Sequence, residues 1–140
     1  MEWKLELVFV PVSDVDRAKD FYVNKVGFNA DYDERVNENL RFVQLTPPGS
    51  GCSIAIGEGL SDAPAGTAPS LQLVVSDIQA AYDQLKGNGV DCSEIDVQDW
   101  GHFVYFQDPD GNKWAVQYIP WKNAQEAADA QVSGTAQPAE

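Results

Sequence analysis

One short sequence pattern occurs twice in the chain: an apolar run ends at a Ser-Asp pair, and a helix-forming stretch follows. Residues 12–15 (VSDV) reappear as residues 75–78 (VSDI), and Gly27 ends the first helical stretch. A serine hydroxyl can accept hydrogen bonds from the free N–H groups of a first helical turn. Ser13 and Ser76 are therefore predicted helix N-caps. The repeat predicts two related strand–helix units.

Apolar alternation places three further strands after each helix. Helices are predicted at 14–25 and 77–86, and strands at 4–12, 28–34, 40–46, 52–57, 70–75, 91–97, 101–107 and 113–119. Each half thus reads β-α-β-β-β, which predicts an α+β fold. One domain of residues 1–120 is expected, with a first module at about 4–57, a linker at 58–69 and a second module at about 70–120. Residues 121–140 are expected to be a flexible tail, with a helical turn or two within 123–131.

Composition narrows the range of partners. The chain has 140 residues and a formal net charge of −13, with 9 Lys and Arg in total. This acidity disfavours nucleic acid and anionic membranes as partners. Cys52 and Cys92 form no metal-binding spacing, and no secretion signal precedes the first strand. We therefore expect a cytoplasmic protein with reduced thiols.

The two βαβββ units, the VSDVDRAKDFYVNKVGF stretch at 12–28 and the DPDGN turn at 108–112 occur together. Over about residues 4–119 this combination resembles the vicinal-oxygen-chelate superfamily, which includes glyoxalase I, bleomycin-resistance proteins and extradiol dioxygenases. The resemblance implies a curved, cup-shaped mixed sheet of eight strands, with the helices outside. It also implies a homodimer, in which each cup is often built from modules of two chains.

Enzymes of this superfamily hold a divalent metal in the cup with one residue from each of four strands, usually His, Glu or Gln. The corresponding positions here are Leu7, Ala55, Ser70 and Ala115. Leucine and alanine have no donor atom, and a neutral serine hydroxyl is a weak ligand. We therefore expect neither a metal nor another cofactor. A metal site displaced from these positions, for example one using Glu6 with residues of another chain, remains the alternative.

If those four positions face the cup, their i±2 neighbours face it as well. This predicts a mostly apolar lining with a few amides and one cation, as in a small-molecule pocket. Trp100 is added because it could stack on a planar ligand, and His102 because it could donate a hydrogen bond. The predicted ligand-binding residues are Phe9, Phe42, Gln44, Ser53, Ser70, Gln72, Trp100, His102, Lys113 and Gln117. The competing interpretation is a cup filled by its own side chains.

The favoured function is a metal-free protein that sequesters a small aromatic or partly apolar compound. One alternative is a lyase, isomerase or dioxygenase that works without metal, with His102 as the candidate catalytic acid or base and Gln44 or Gln117 orienting the substrate. The other is a metal-dependent enzyme with the displaced site described above. Asp108 and Asp110 resemble a catalytic pair, but the DPDG sequence predicts that both shape a turn.

Overall fold

The computed structural model describes residues 1–120. The predicted flexible tail, including its helical turn within 123–131, lies outside the described residues. Within residues 1–120 no helix is long and apolar enough to cross a membrane.

Each half of the chain has the predicted order of elements. The first contains β1 (Leu7–Phe9), α1 (Val15–Asp20) with a π-helical continuation (Phe21–Val26), β2 (Asn29–Asn37), β3 (Leu40–Thr46) and β4 (Ser53–Glu58). The second contains β5 (Leu71–Val74), α2 (Ile78–Gly87), β6 (Asp96–Gln98), β7 (Gly101–Gln107) and β8 (Lys113–Tyr118). This arrangement confirms the α+β class and the two βαβββ modules.

The eight strands form two four-stranded mixed sheets of the same topology. Their strand orders are β1-β4-β3-β2 and β5-β8-β7-β6. In each sheet the first strand runs parallel to the fourth, and the other neighbours are antiparallel. A parallel pair needs a crossover between its strands, and in each module the helix and the two intervening strands supply it.

The helices begin one residue later than predicted. Asp14 Oδ1 accepts from the Arg17 backbone N–H at 3.0 Å, and Asp77 Oδ1 accepts from the Ala80 N–H at 3.0 Å. The predicted caps Ser13 and Ser76 are therefore wrong. An aspartate carries the negative charge that the positive end of the helix dipole favours, and a serine hydroxyl does not.

The first helix changes from α-helical to π-helical hydrogen bonding before it ends. The N–H groups of Gly27 and Phe28 both donate to the Tyr22 carbonyl, at 2.9 and 2.8 Å. Gly27 has φ +100°, a left-handed conformation that suits glycine at a helix C-terminus. The longer turn keeps Phe21, Tyr22 and Val26 on one buried face. Among the strands, β1 is shorter than predicted, whereas β2 continues to Asn37, beyond its predicted end at residue 34.

Side chains from both modules share an apolar core. The helix-facing residues of β3 and β4 contribute Val43, Leu45, Ile54 and Ile56, and those of β7 and β8 contribute Val104, Phe106, Trp114 and Val116. The aromatic rings of Phe21 and Tyr22 from the first module lie against Phe106 and Trp114 of the second. The two modules are therefore joined through the faces that carry the helices.

The DPDGN turn also connects the modules. Asp108 is 5% exposed, and its Oδ2 accepts from the Tyr22 hydroxyl at 2.7 Å and from Asn112 Nδ2 at 2.8 Å. Trp114 Nε1 donates to the Tyr22 oxygen at 2.9 Å. At the surface, the Ser13 hydroxyl donates to Asp110 at 2.6 Å. These two aspartates therefore shape the turn and hold the first helix against the second sheet.

Candidate functional site

Each sheet has a face that turns away from the helices, called here its open face. Cross-strand partners share a face, and the pairs Phe9–Ala55, Gln44–Ala55, Gln72–Ala115 and Tyr105–Ala115 define it in the two sheets. Alternation then gives the remaining members. The open face of the first sheet carries Leu7, Phe9, Phe42, Gln44, Thr46, Ser53 and Ala55, and that of the second carries Gln72, Val74, Phe103, Tyr105, Lys113, Ala115 and Gln117.

A cavity of about 910 Å³ lies at the second module, on the open-face side of β5, β7 and β8. Its walls come from these strands and from the segment before β6. The lining residues are Ser70, Gln72, Asp91, Cys92, Ser93, Tyr105, Phe106, Gln107, Asp108, Lys113, Trp114 and Ala115. Pockets for small molecules have volumes of about 300–1,000 Å³, so this cavity is of the appropriate size.

The chemistry of this cavity suits binding by shape and hydrogen bonds. Tyr105 presents a half-exposed ring and donates its hydroxyl to Asp96 at 3.1 Å; desolvation and Asp96 both raise the pKa of this hydroxyl. Lys113 supplies a cation, and Gln72 supplies an amide. Desolvation raises the pKa of the Cys92 thiol, which opposes formation of the nucleophilic thiolate.

The open face of the first module carries a line of polar side chains. Gln44 Nε2 donates to the Ser53 hydroxyl at 3.2 Å, the hydroxyls of Ser53 and Thr46 are 2.6 Å apart, and Thr46 donates to Asp31. Ser53 is only 6% exposed. Beside this line, Phe9 is half exposed, so the surface combines an apolar ring with buried hydroxyl groups.

A small cavity of about 50 Å³ lies at the β1–β4 edge of this face and is lined in part by Phe9, Gly57 and Leu60. A Cβ at Gly57 would collide with the Arg41 carbonyl oxygen and would lie 2.7 Å from Leu60 Cδ1. Glycine is therefore required where Leu60 covers the sheet.

The predicted ligand-binding residues fall into separate groups. Ser70, Gln72 and Lys113 line the large cavity, and Gln117 lies further along the same face. Phe9, Phe42, Gln44 and Ser53 lie on the open face of the first sheet and do not line that cavity. The predicted ligand-binding residues thus lie on two separate open faces, one in each module.

His102 lies on the wrong face for its predicted role. It pairs with Tyr118 in the β7–β8 ladder, and its ring stands 5.6 Å from that of Tyr118. Alternation places it with Val104 and Phe106, whose side chains are in the core. Since Tyr105 pairs with Ala115, the odd-numbered residues of β7 are the ones on the open face. The position proposed for His102 in the cup is therefore corrected.

Trp100 occupies the turn before β7 and is largely exposed. Its carbonyl oxygen accepts a long hydrogen bond of 3.5 Å from Gln117 Nε2. This contact connects the β6–β7 turn with the far end of the second open face, away from the large cavity.

Sequence reasoning missed several residues of these surfaces. Tyr105 is in the cavity, and it could have been found by pairing β7 with β8 through Ala115. Thr46 follows Gln44 by two positions in β3, so alternation would have placed it on the same open face. Asp31 gave no such signal, because it sits at an irregularity between Ala30 and Tyr32 in the β2–β3 ladder.

The four superfamily metal positions do not fit a metal. Leu7, Ala55 and Ala115 have no donor atom in their side chains, and Ser70 offers one neutral hydroxyl. Within residues 1–120, no group of three or more His, Cys, Asp or Glu side chains is close enough to hold an ion. The residues at these four positions therefore do not suit a metal ion.

The fold and the donor-poor cup positions define a class, and comparison with known proteins identifies it. Residues 4–116 match the family model of the Glyoxalase/Bleomycin resistance protein/Dioxygenase superfamily. The chain belongs to this superfamily, which confirms the resemblance seen in the sequence.

Three relatives are particularly informative. The crystal structure of TnmS3, described as an antibiotic binding protein from Streptomyces sp. CB03234, is 32% identical, has a TM-score of 0.76 and covers 84% of this chain and 97% of its own. A glyoxalase/bleomycin resistance protein from the same strain is 33% identical, with a TM-score of 0.72 and coverage of 81% and 99%. YetH of Bacillus subtilis, an uncharacterized protein, is 31% identical over 112 residues, which are 79% of this chain and 93% of YetH.

Proposed function

We propose that this protein binds and sequesters a small aromatic or partly apolar molecule on its open faces, without using a metal. The observation that carries this proposal is the cavity of about 910 Å³ around Ala115. Ser70 and Ala115 occupy superfamily metal positions and both line it, so small side chains leave space where ligands to an ion would otherwise stand.

The lining supports binding more than it supports chemistry. It offers the Tyr105 ring for apolar contact, with Gln72 and Lys113 for orientation, whereas the side chains of Trp114 and Phe106 lie on the core side of the sheet. His102, the candidate acid or base of the metal-free enzyme alternative, lies on the same face as Val104 and Phe106 and not on that of Ala115, which favours binding over that alternative. The description of TnmS3 as an antibiotic binding protein, at 32% identity, also favours a binding role.

We further propose that two copies assemble a complete cup. Each chain offers two half-sites, which are the open faces of its two sheets, and both carry apolar side chains open to solvent. Phe9 is 48% exposed on the first and Tyr105 is 42% exposed on the second. Pairing the first half-site of one copy with the second half-site of its partner would bury these rings. The two free thiols, Cys52 and Cys92, are consistent with a cytoplasmic location.

A cavity-filling variant tests the binding proposal. Purified protein is screened against a library of small aromatic compounds by thermal shift, and affinities of the hits are measured by calorimetry. Ala115→Trp places an indole in the cavity and should weaken binding at least about tenfold, since a ligand must then displace or avoid that ring.

The matched control is Val97→Trp, which adds the same side chain to an exposed position of β6. Val97 pairs with His102 and so lies on the opposite face from Ala115. This variant should retain wild-type affinity. Equal binding by the wild type and Ala115→Trp, or no hit in the whole library, would overturn the proposal.

A further inference from the structure

The polar line on the first open face has a defined hydrogen-bond direction. Asp31 as a carboxylate accepts only, so the single hydroxyl hydrogen of Thr46 is used in donating to it. The contact of 2.6 Å between Thr46 and Ser53 must then be a bond in which Ser53 donates. With its own hydrogen committed, Ser53 can only accept from Gln44. All three donors therefore point towards Asp31.

The direction of these hydrogen bonds fixes the orientation of the Gln44 side-chain amide. Its NH₂ group must face Ser53, which leaves the carbonyl oxygen Oε1 on the other side of the amide. Within residues 1–120 neither Gln44 Oε1 nor the second carboxylate oxygen of Asp31 accepts a hydrogen bond from another side chain or from the backbone. The first open face consequently offers these two acceptors and the second N–H of the Gln44 amide, whereas both of its hydroxyl hydrogens are used within the line.

An aromatic surface adjoins these acceptors. Tyr32 is the cross-strand partner of Gln44 in the β2–β3 ladder and is 60% exposed. Cross-strand neighbours lie about 5 Å apart on one face, so a ring stacked on Tyr32 would bring its substituents beside Gln44. The irregularity at Asp31 places a carboxylate at the same end of the strand.

We propose that Gln44 and Asp31 select ligands that carry a hydrogen-bond donor on an aromatic ring, such as a phenolic hydroxyl. This inference rests on the proposed binding function and on the proposed pairing of two copies, which brings the first open face of one copy to the cavity of the other, and it names the ligand class. Gln44 Oε1 takes the donor, Asp31 sets the direction of the line through Thr46 and Ser53, and Tyr32 supports the ring.

Two probes of similar size separate donors from acceptors: 2-naphthol has a hydroxyl donor, whereas 2-acetylnaphthalene has a carbonyl acceptor and no donor. Their affinities are measured by calorimetry for the wild type and for variants of equal thermal stability. The wild type should prefer 2-naphthol by about fivefold, the value of one net hydrogen bond.

Asp31→Asn allows residue 31 to donate to Thr46, so the line can reverse and Gln44 can present its NH₂ group. Thr46→Val frees the Ser53 hydroxyl to donate to Gln44 and gives the same result by a different route. In both variants the preference should shift about fivefold towards 2-acetylnaphthalene. Glu34→Gln, which removes a charge from the same strand outside the line, should keep the wild-type preference.

The outcomes distinguish the inference from the function beneath it. Binding of both probes with the same ratio in the wild type, Asp31→Asn and Thr46→Val would overturn the selection proposed here and leave the binding function standing. Failure of the wild type to bind either probe would count against the proposed aromatic ligand class itself, and the inference would fall with it.

Discussion

At the scale of single residues, Tyr22 joins the two modules most directly. Its hydroxyl donates to the buried carboxylate of Asp108 and accepts from Trp114 Nε1. Burial, and then the charge of Asp108, raise the pKa of Tyr22 far above its usual value, so the phenol stays neutral and donates throughout the physiological range. Its ring also stacks on Phe28.

Tyr22→Phe keeps the ring and removes only this hydroxyl. Asp108 and the Trp114 indole N–H then each lose a partner in a buried site, and unsatisfied buried groups are costly. We expect the free energy of unfolding to fall by about 1–3 kcal/mol in urea denaturation. Tyr32→Phe, at an exposed tyrosine, should change it by less than about 0.5 kcal/mol. Equal effects from the two variants would show that the hydroxyl network adds nothing.

The same residues show which features can be predicted from the sequence and which cannot. The DPDGN pattern predicted a turn correctly, because turn preferences are local. The hydrogen bond from Tyr22 to Asp108 joins positions 86 apart in the chain, and no local pattern encodes it. The helix caps were misassigned by one residue because serine and aspartate are both good caps. The long-range bond from Ser13 to Asp110 was equally invisible in the sequence.

At the scale of elements, α1 is held to its sheet by charges. Arg41 Nε and Nη2 donate to Asp33 at 3.0 and 2.9 Å, Lys19 donates to Asp33 at 2.8 Å, and Arg41 Nη1 lies 2.9 Å from Asp16. Arg41, followed by Lys19, holds the pKa of Asp33 well below its usual range. Several charges that form a network can contribute to stability where an isolated exposed pair contributes little.

Asp33→Asn should destabilise the protein at pH 7 by about 1 kcal/mol or less, since the groups are partly exposed and screened. The pKa of Asp33 is lower in the folded state, so its contribution is complete above the unfolded value of about 3.9 and is lost as pH falls below it. The difference between wild type and variant should therefore shrink in denaturation curves taken from pH 5 downwards.

Glu38→Gln, which removes a charge from the β2–β3 turn, is the control for general charge effects and should show no such convergence. A wild type that remains more stable than Asp33→Asn by the same margin at every pH would contradict the account of this network.

Prediction of elements from sequence also had a clear limit. Strands with strong alternation, such as β3 and β7, were found with their observed ends at Leu40–Thr46 and Gly101–Gln107. Residues 35–37 lie outside the predicted strands, yet they extend β2 because β3 offers them a partner. Pairing with a neighbour there outweighed the local preference for a turn.

At the scale of the whole molecule, the repeat in the sequence gave the fold class, the order of elements and the superfamily. Alternation predicted the faces on which most site residues lie. His102 was misplaced because it was chosen for its hydrogen-bonding chemistry and not by alternation along its strand. The separation of the predicted lining residues onto two open faces was not predictable from the chain, because it depends on how the modules pack against each other.

The central claim is that small molecules bind at the open face of the second module. It is tested most directly by nuclear magnetic resonance of ¹⁵N-labelled protein, titrated with an aromatic compound found in the screen. We expect the largest amide shift changes at Gln72, Tyr105, Lys113 and Ala115, which line the cavity of about 910 Å³. Shift changes confined to the helices, or none at saturating compound, would contradict the claim.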